Sequence, residues 1–364
     1  MRQHSVLVTN IPAPYREEVH RLVAQHFGGN HTVIYCQERE PNRIWTMADR
    51  HYPAITLQGW MATYRGRYIH CNPDIVAELN RLDPDVVITT GFTPTMLLAF
   101  GWAVARQRRH IAMTDGWAFS EAVLSPLHRA LRKLVFRFSS AFIGASRHSL
   151  DLYRSYHCNE DALFQSHLCA NNDLFFAQVG ADKEYELLFS GQFVEGKLPL
   201  FFAEVAAAVK KLHGRCRVLL LGDGPLREPL LQKLRSEGVE VTHPGYLAQD
   251  QLPAWYAKAK ILLFPTRQDA WGVVVNEAMA AGLPVITCEN AGVAHDLVQN
   301  GINGYVLPLD ALLWAGQAVK MLEDEALYGY LSQQALAAVE PYHYRNAAQG
   351  IIRAIEYARQ GGKP

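Results

Sequence analysis

The sequence predicts an α/β protein built from two doubly wound parallel sheets, and three observations point there. Short β-branched apolar runs alternate with helical patterns along the chain. The alternation pauses once, at a polar stretch near the middle. The length, 364 residues, exceeds what one hydrophobic core usually organises.

The first half opens with "SVLVTN", a helix from about Pro14 to His26, and "HTVIYC". It continues with "DVVITTG", a helix through "TPTMLLAFGWAVARQRR", "HIAMTD", a basic helix from about Pro126, and "AFIGAS". The stretch "CANNDLFFAQVGADKEYE" is polar, carries Gly180 and has no sustained period, which places a linker at 176–185. The second half repeats the scheme. "YELLFSG" precedes a helix from Pro199 to Leu212, "RVLLLGDG" precedes a helix from Pro225 to Glu237, and "VEVTHPG" follows. After a short helix in "DQLPAWYAKA" come the strands "KILLFP", "PVITC" and "GYVLP", and a last helical pattern runs from Arg345 to Gln360. The domains are expected at 1–175, joined by the helix at about 342–360, and at 186–341.

Composition excludes several classes. Lys+Arg and Asp+Glu both number 35, so bulk electrostatics do not favour nucleic acid. The six cysteines are scattered without C-x-x-C pairs or histidines at ligand spacing, so neither a disulfide framework nor a metal site is expected. The N-terminus passes straight into an apolar strand without a secretion-signal pattern, and "TMLLAFGWAVA" is about half the roughly 20 residues of a membrane span. The expected setting is the cytoplasm.

The stretch "RQDAWGVVVNEAMAAG" carries the chemistry. Three valines favour strand by propensity, but a strand there leaves too little chain for the helix before "PVITC", so the helix is expected from Gly272 or Val273. Asp269 then lies in the loop ahead of the helix and Glu277 in its second turn. The N–H groups of Gly272, Val273 and Val274, at the positive end of the helix dipole, suit a diphosphate. Gly272 lets a ligand approach the backbone. Carboxylates repel phosphate, so Glu277 is expected on a ribose diol and Asp269 on hydroxyls of the group that the diphosphate carries. The alternative reads Asp269 as a helix cap and Glu277 as a solvated residue.

The run "FPTRQDAWGVVVNEAMAAGLPVITCENAGVAHDLVQNGINGYVLP" resembles the C-terminal signature of the family 4 retaining glycosyltransferases. That family pairs two glutamates across seven residues; here Asp269 replaces the first, with an arm one methylene shorter, and Glu277 matches the second. "LFSGQFVEGKLPLFFAEVAAAVKKL" is similar to the family's strand, loop and lysine element. The resemblance implies that Gly191, Gln192 and Lys197 face the donor and that Lys197 neutralises its diphosphate. Gln192 stands where many members carry arginine, which shifts weight onto the helix dipole. "LLLGDGPLREPL" and "THPGYLAQDQLPAWYAKAKILLFP" also look like family counterparts, implying that Gly245, Tyr246 and Leu247 lie by the nucleobase. "VTNIPAPYREEVHRL" resembles a subset of the family, without its usual glycine pair.

The resemblance implies the GT-B architecture: two facing Rossmann-like domains, the active site in the cleft between them, and a C-terminal helix returning to the first domain. It implies retaining transfer from a UDP- or GDP-linked sugar to an acceptor hydroxyl, with no cofactor beyond the nucleotide sugar co-substrate. No metal is expected, since cation and dipole neutralise the leaving group. The family's commonest setting is bacterial exopolysaccharide, lipopolysaccharide or lipid-linked glycan synthesis. Two alternatives remain: a non-catalytic sugar-nucleotide-binding partner of an active transferase, and a sugar-nucleotide epimerase.

Two features outside the signature stand as candidates. Asp115, ending the strand "AMTD", is expected to touch the acceptor or the transferring sugar, against the alternative of a turn-forming Asp-Gly. The helix "PLHRALRKLVFRFSSAF" places Leu127, Leu131, Leu134, Val135 and Phe138 on one face, with Arg129, Arg132, Lys133 and Arg137 mostly elsewhere. One reading is a core-packed helix with a solvated basic side; the other is a basic face that meets anionic lipid headgroups, at the inner face of the membrane, or a phosphorylated lipid acceptor. "GFTP" from Gly91 borders the acceptor on the same reasoning, and no role is assigned to His70, His110, His148 or His167.

Overall fold

The computed structural model describes residues 3–41, 50–64, 67–122, 124–245 and 247–361. The chain divides into two compact units: Met1–Leu168 with Tyr344–Pro364, and Cys169–His343.

The first unit runs β1 (Ser5–Thr9), α1 (Pro14–His26), β2 (His31–Tyr35), β3 (Ala54–Thr56), β4 (Trp60–Tyr64), β5 (Arg67–Cys71), α2 (Ile75–Leu82) and β6 (Val86–Thr89). It continues with α3 (Pro94–Ala105), β7 (Arg109–Thr114), α4 (Ala118–Ala122), α5 (Pro126–Arg137), β8 (Ala141–Gly144), α6 (Arg147–Ser155) and β9 (Leu163–Gln165). Seven strands form one parallel sheet in the order β3-β2-β1-β6-β7-β8-β9, and β4 pairs antiparallel with β5 as a separate hairpin. In β1, β2, β6 and β8 every residue but Thr9 is buried, as helices on both faces of a parallel sheet require. Proline at the first turn of α1, α3 and α5 starts each helix where a missing N–H costs nothing.

The second unit holds α7 (Asn172–Phe176), β10 (Tyr185–Ser190), α8 (Pro199–His213), β11 (Arg217–Leu221), α9 (Arg227–Ser236), β12 (Glu240–Thr242), α10 (Leu252–Tyr256) and β13 (Ala259–Phe264). Then come α11 (Val273–Ala280), β14 (Val285–Thr287), β15 (Gly304–Val306), α12 (Ala311–Glu323) and α13 (Glu325–Val339), before α14 (Tyr344–Arg359) rejoins the first unit. Its six strands are all parallel, in the order β12-β11-β10-β13-β14-β15. The chain winds outward from β10 one way and from β13 the other. The switch point, where the carboxyl ends of adjacent strands open a crevice, therefore lies between β10 and β13.

Two sheets of parallel strands with covering helices match the predicted fold class. The division falls at Leu168/Cys169, ahead of 176–185, because α7 packs on α10 and α11. The sequence reading did not contain β3 to β5, β9, α2, α4, α6, α7, α12 or α13. The three-residue strands carry too few apolar positions to show a period, and in α13 the apolar residues are spread around the helix. The core-packed reading of α5 holds only in part: of its apolar face Val135 is buried and Leu131 half-buried, joined by Phe136, whereas Leu127, Leu134 and Phe138 are exposed. All six cysteines are thiols.

Helix α14 lies against α1, β7, β8 and β9, and its Arg359 makes an ion pair with Asp85 at 2.8 Å. A β-carbon on its Gly350 would stand 1.8 Å from the Gln165 carbonyl oxygen, so this glycine lets the helix touch the sheet backbone. An added methyl in a helix usually stabilises by up to about 1 kcal/mol. Gly316→Ala, in open space within α12, is expected to follow that rule, whereas Gly350→Ala is expected to destabilise by about 1–3 kcal/mol. Thermal unfolding followed by circular dichroism checks both; a raised Tm for Gly350→Ala would contradict this packing.

Candidate functional site

The connection after β10 begins at Gly191 (φ 137°), continues through the exposed Gln192, and reaches Lys197 at the end of a single 3₁₀ turn, Glu195–Lys197. Leu198, held at φ 51°, turns the chain into α8. The neighbouring connection after β11 presses onto it: a β-carbon on Gly222 would stand 2.0 Å from the Gly191 carbonyl oxygen, and one on Gly224 would stand 2.6 Å from that of Phe193. "GDG" is thus a backbone-packing motif. His243, after β12, adds a hydrogen bond of 2.8 Å to the Gly222 carbonyl.

The connection after β13 meets the first across the switch point. Thr266 Oγ1 and the Arg267 N–H both donate to the Gly196 carbonyl, at 3.0 and 2.9 Å. Lys197 Nζ donates to Asp269 Oδ2, with both side chains partly buried, and stands 5.4 Å from the centre of the Phe264 ring. The Asp269 backbone is fixed on both sides: its N–H donates to the Asn290 carbonyl at 3.1 Å, and its carbonyl accepts from the Gly292 N–H at 3.0 Å. Its Oδ1 accepts from the Trp271 N–H at 3.2 Å, so the carboxylate shapes the turn into α11.

Gly272 caps α11 with φ 102°, a left-handed geometry that disfavours other residues, and a β-carbon there would strike the Phe264 ring at 2.4 Å. The chain's own packing thus requires this glycine. Gly272, Val273 and Val274 are partly exposed at the helix N-terminus, where the first N–H groups have no acceptor within the helix. Trp271 is buried, donates to Asn276 Oδ1 at 2.8 Å and stacks on Tyr342, which anchors this end of the helix.

Glu277, one turn further on, pairs with a residue that sequence reasoning missed. The buried Tyr256 hydroxyl lies 2.6 Å from both Glu277 Oε2 and Ser190 Oγ, at the end of β10. The phenol has one proton. When Glu277 is ionised, Tyr256 donates to it and Ser190 donates to the phenol oxygen. Burial pushes the Glu277 carboxyl up to about 7, with the Tyr256 hydrogen bond pulling the other way. The solvated reading of Glu277 does not hold. Nothing in the sequence tied Tyr256 to Glu277, 21 residues on, because folding of α10 against α11 creates the contact.

Gly245 has φ 83° and open space around it, and Leu247 is partly buried nearby in the connection after β12; Tyr246 lies outside the described residues. Asp115 belongs to the first unit, exposed just beyond β7. That unit has its own switch point, between β1 and β6, where Asn10 Oδ1 and Thr93 Oγ1 are buried with no hydrogen-bond partner among the described residues. His110 is a satisfied core histidine between Thr89 and Ser139, its imidazole pushed down to about 3 by burial.

A raised carboxyl makes stability depend on pH. Folded Glu277 holds its proton more tightly than the unfolded chain, so its stabilisation is complete below about 4.5 and is lost as pH rises through about 7. Glu277→Gln carries no such titration. Relative to this variant, the wild type is expected to lose about 1–3 kcal/mol between pH 5 and 8, measured from urea unfolding curves. A constant difference across that range would contradict the buried acid.

Residues 184–324 match the family described as Glycosyl transferases group 1. Over 185 residues, 49% of this chain and 48% of the relative, the sequence is 26% identical to alpha-D-kanosaminyltransferase of Streptomyces kanamyceticus. Over 185 residues, 50% of this chain and 32% of the relative, it is 30% identical to the sulfoquinovosyl transferase SQD2 of Arabidopsis thaliana. The chain therefore spans about half, or less, of these curated relatives. Anabaena HepE, solved with UDP, superposes with a TM-score of 0.76 over 98% of this chain and 100% of its own, at 15% identity. A glycosyltransferase from Rickettsia africae superposes with a TM-score of 0.75 over 99% and 100%, at 14% identity. Among the described residues no helix is long and apolar enough to cross a membrane. Residues 184–324 thus match the glycosyl transferases group 1 family, within a chain that has the two-sheet parallel fold of solved GT-B glycosyltransferases.

Proposed function

We propose that the protein is a retaining glycosyltransferase that moves a sugar from a nucleotide diphosphate sugar to an acceptor hydroxyl. The observation that carries the reading is the meeting of Lys197 and Asp269 at the β10/β13 switch point, in the connection that leads into α11. Lys197 and the free N–H groups of Gly272 to Val274 take the diphosphate, where negative charge grows as the bond to the sugar breaks. As the diphosphate draws the Lys197 ammonium, Asp269 is left to accept hydrogen bonds from the transferred sugar. Glu277, oriented by Tyr256, holds the ribose; Gly191 and Gln192 border the diphosphate, and Gly245 and Leu247 border the base. The HepE complexes with UDP, and with UDP and glucose, favour a uridine donor.

The acceptor hydroxyl belongs to the first unit, where Asp115, Asn10 and Thr93 offer polar atoms at strand ends. In this reading the acceptor is a growing cell-surface glycan or a lipid-linked oligosaccharide. Retention follows if the leaving diphosphate accepts the acceptor proton on the same face. The neutralising cation and helix dipole make a metal ion unnecessary. Asp269 already neutralises Lys197, which favours as second reading a partner that binds sugar nucleotides without turning them over.

Lys197→Ala is expected to lower kcat by about 10²-fold or more, the scale of losing one preorganised electrostatic donor. Turnover within threefold of wild type would remove Lys197 from the chemistry. Full activity is expected in chelator, and loss with recovery on adding Mn2+ would overturn the metal-independent mechanism. Failure of the isolated protein to hydrolyse or transfer any sugar from UDP- and GDP-sugars, despite binding them, would favour the second reading.

A further inference from the structure

A group of aromatic rings meets at the carboxyl ends of β7 and β8. Trp117, in the connection after β7, stacks on Phe119 in α4, with ring centres 5.7 Å apart and planes 26° from parallel. His148, in the first turn of α6 after β8, brings its imidazole to 5.3 Å from the Trp117 ring. Phe119 is 40% exposed and Trp117 partly exposed, so the group keeps aromatic surface open to solvent. Asp115, in the same connection as Trp117, is exposed as well.

The rings are braced from behind. Five residues do not hold a helix by themselves, and α4 is fixed instead through Glu121. The Glu121 carboxylate accepts from Arg132 of α5 at 3.0 Å and from the Tyr156 hydroxyl, at the end of α6, at 3.1 and 3.2 Å. Arg132 in turn lies over the Phe92 ring, in the connection after β6. One carboxylate thus ties α4 to α5, to α6 and to the neighbouring connection. A single exposed phenylalanine is ordinary on a protein surface. Here the exposed ring is stacked, braced and set beside an acid at the carboxyl ends of a parallel sheet, which is where such sheets bind ligands.

We propose that Trp117, Phe119 and His148 form a stacking platform for a pyranose ring of the acceptor, with Asp115 receiving its hydroxyls. The two halves of the group select this ligand together. One face of a pyranose presents C–H bonds of slight positive charge, which suit the negative face of an aromatic ring. Its rim presents hydroxyls, which donate to a carboxylate. An acyl chain offers Asp115 no donor, and a nucleotide brings a phosphate that the carboxylate repels. The inference rests on the transferase reading for the sugar's role as acceptor, whereas the binding itself requires no donor.

The test is saturation-transfer NMR on the full chain without donor. The probes are the methyl pyranosides of glucose, galactose, mannose and N-acetylglucosamine, with sorbitol as a polyol that has no ring. Saturation is expected on the ring C–H protons of at least one glycoside and not on sorbitol. Phe119→Ala and Trp117→Leu are each expected to weaken that glycoside about 5- to 10-fold, the scale of one aromatic contact, while Phe119→Tyr keeps it within about twofold. Circular dichroism melting verifies that each variant is folded, and UDP affinity by calorimetry is expected to stay at the wild-type value in all of them. No glycoside bound by the wild type, or alanine and leucine variants that bind like it, would overturn the platform. Uridine binding that both variants lose would assign the rings to a nucleobase and overturn it as well. A wild type that binds a glycoside but not UDP would sink the transferase reading and leave the sugar site standing.

Discussion

The ion pair between Lys197 and Asp269 joins the two connections on which the candidate site depends. In a parallel sheet the crevice at a switch point is bounded by loops with no ladder bonds to each other. Here they are held together by the ammonium and carboxylate, and by two hydrogen bonds onto the Gly196 carbonyl. Phe264 sits at the centre of the arrangement: Lys197 lies over its ring, and Gly272 can approach only because it has no side chain. An ion pair in partial contact with solvent adds little net stability. Its consequence is geometric, since it presets a cation and an acceptor beside the open N-terminus of α11.

The second carboxylate is treated in the opposite way. Asp269 faces a cation, whereas Glu277 is half-buried against the Tyr256 phenol, and desolvation raises its affinity for the proton against the pull of that hydrogen bond. Two acids eight positions apart therefore meet opposite partners, one a cation and the other a phenol. The Tyr256 hydroxyl couples Glu277 to Ser190 and so to the end of β10, the strand that also launches the Lys197 loop. Ribose and diphosphate recognition, in the reading proposed above, thus share one scaffold strand.

Much of this was legible in the sequence. The apolar runs of β10, β11 and β13 and the start of α11 follow from pattern and length, because a buried parallel strand leaves almost no choice of residue type. The spacing of Asp269 and Glu277 was visible, but their partners were not. Lys197 lies 72 residues from Asp269 and Tyr256 lies 21 from Glu277, so each contact exists only once the strands are ordered. Gly272 was singled out for letting a ligand approach its backbone, whereas the neighbour that requires the missing side chain is Phe264. In α5 the apolar face was read as packed along its length, whereas the core takes only its Val135 edge together with Phe136, and Leu127, Leu134 and Phe138 stay exposed.

The central claim is that Lys197 serves the diphosphate of a nucleotide and nothing else in the ligand. Calorimetric titration of UDP and of uridine into the wild type and Lys197→Met tests it most directly. The account predicts that the substitution weakens UDP by about tenfold or more while leaving uridine affinity unchanged, so that the loss resides in the phosphates alone. Equal weakening of both ligands, or unchanged UDP affinity, would contradict it.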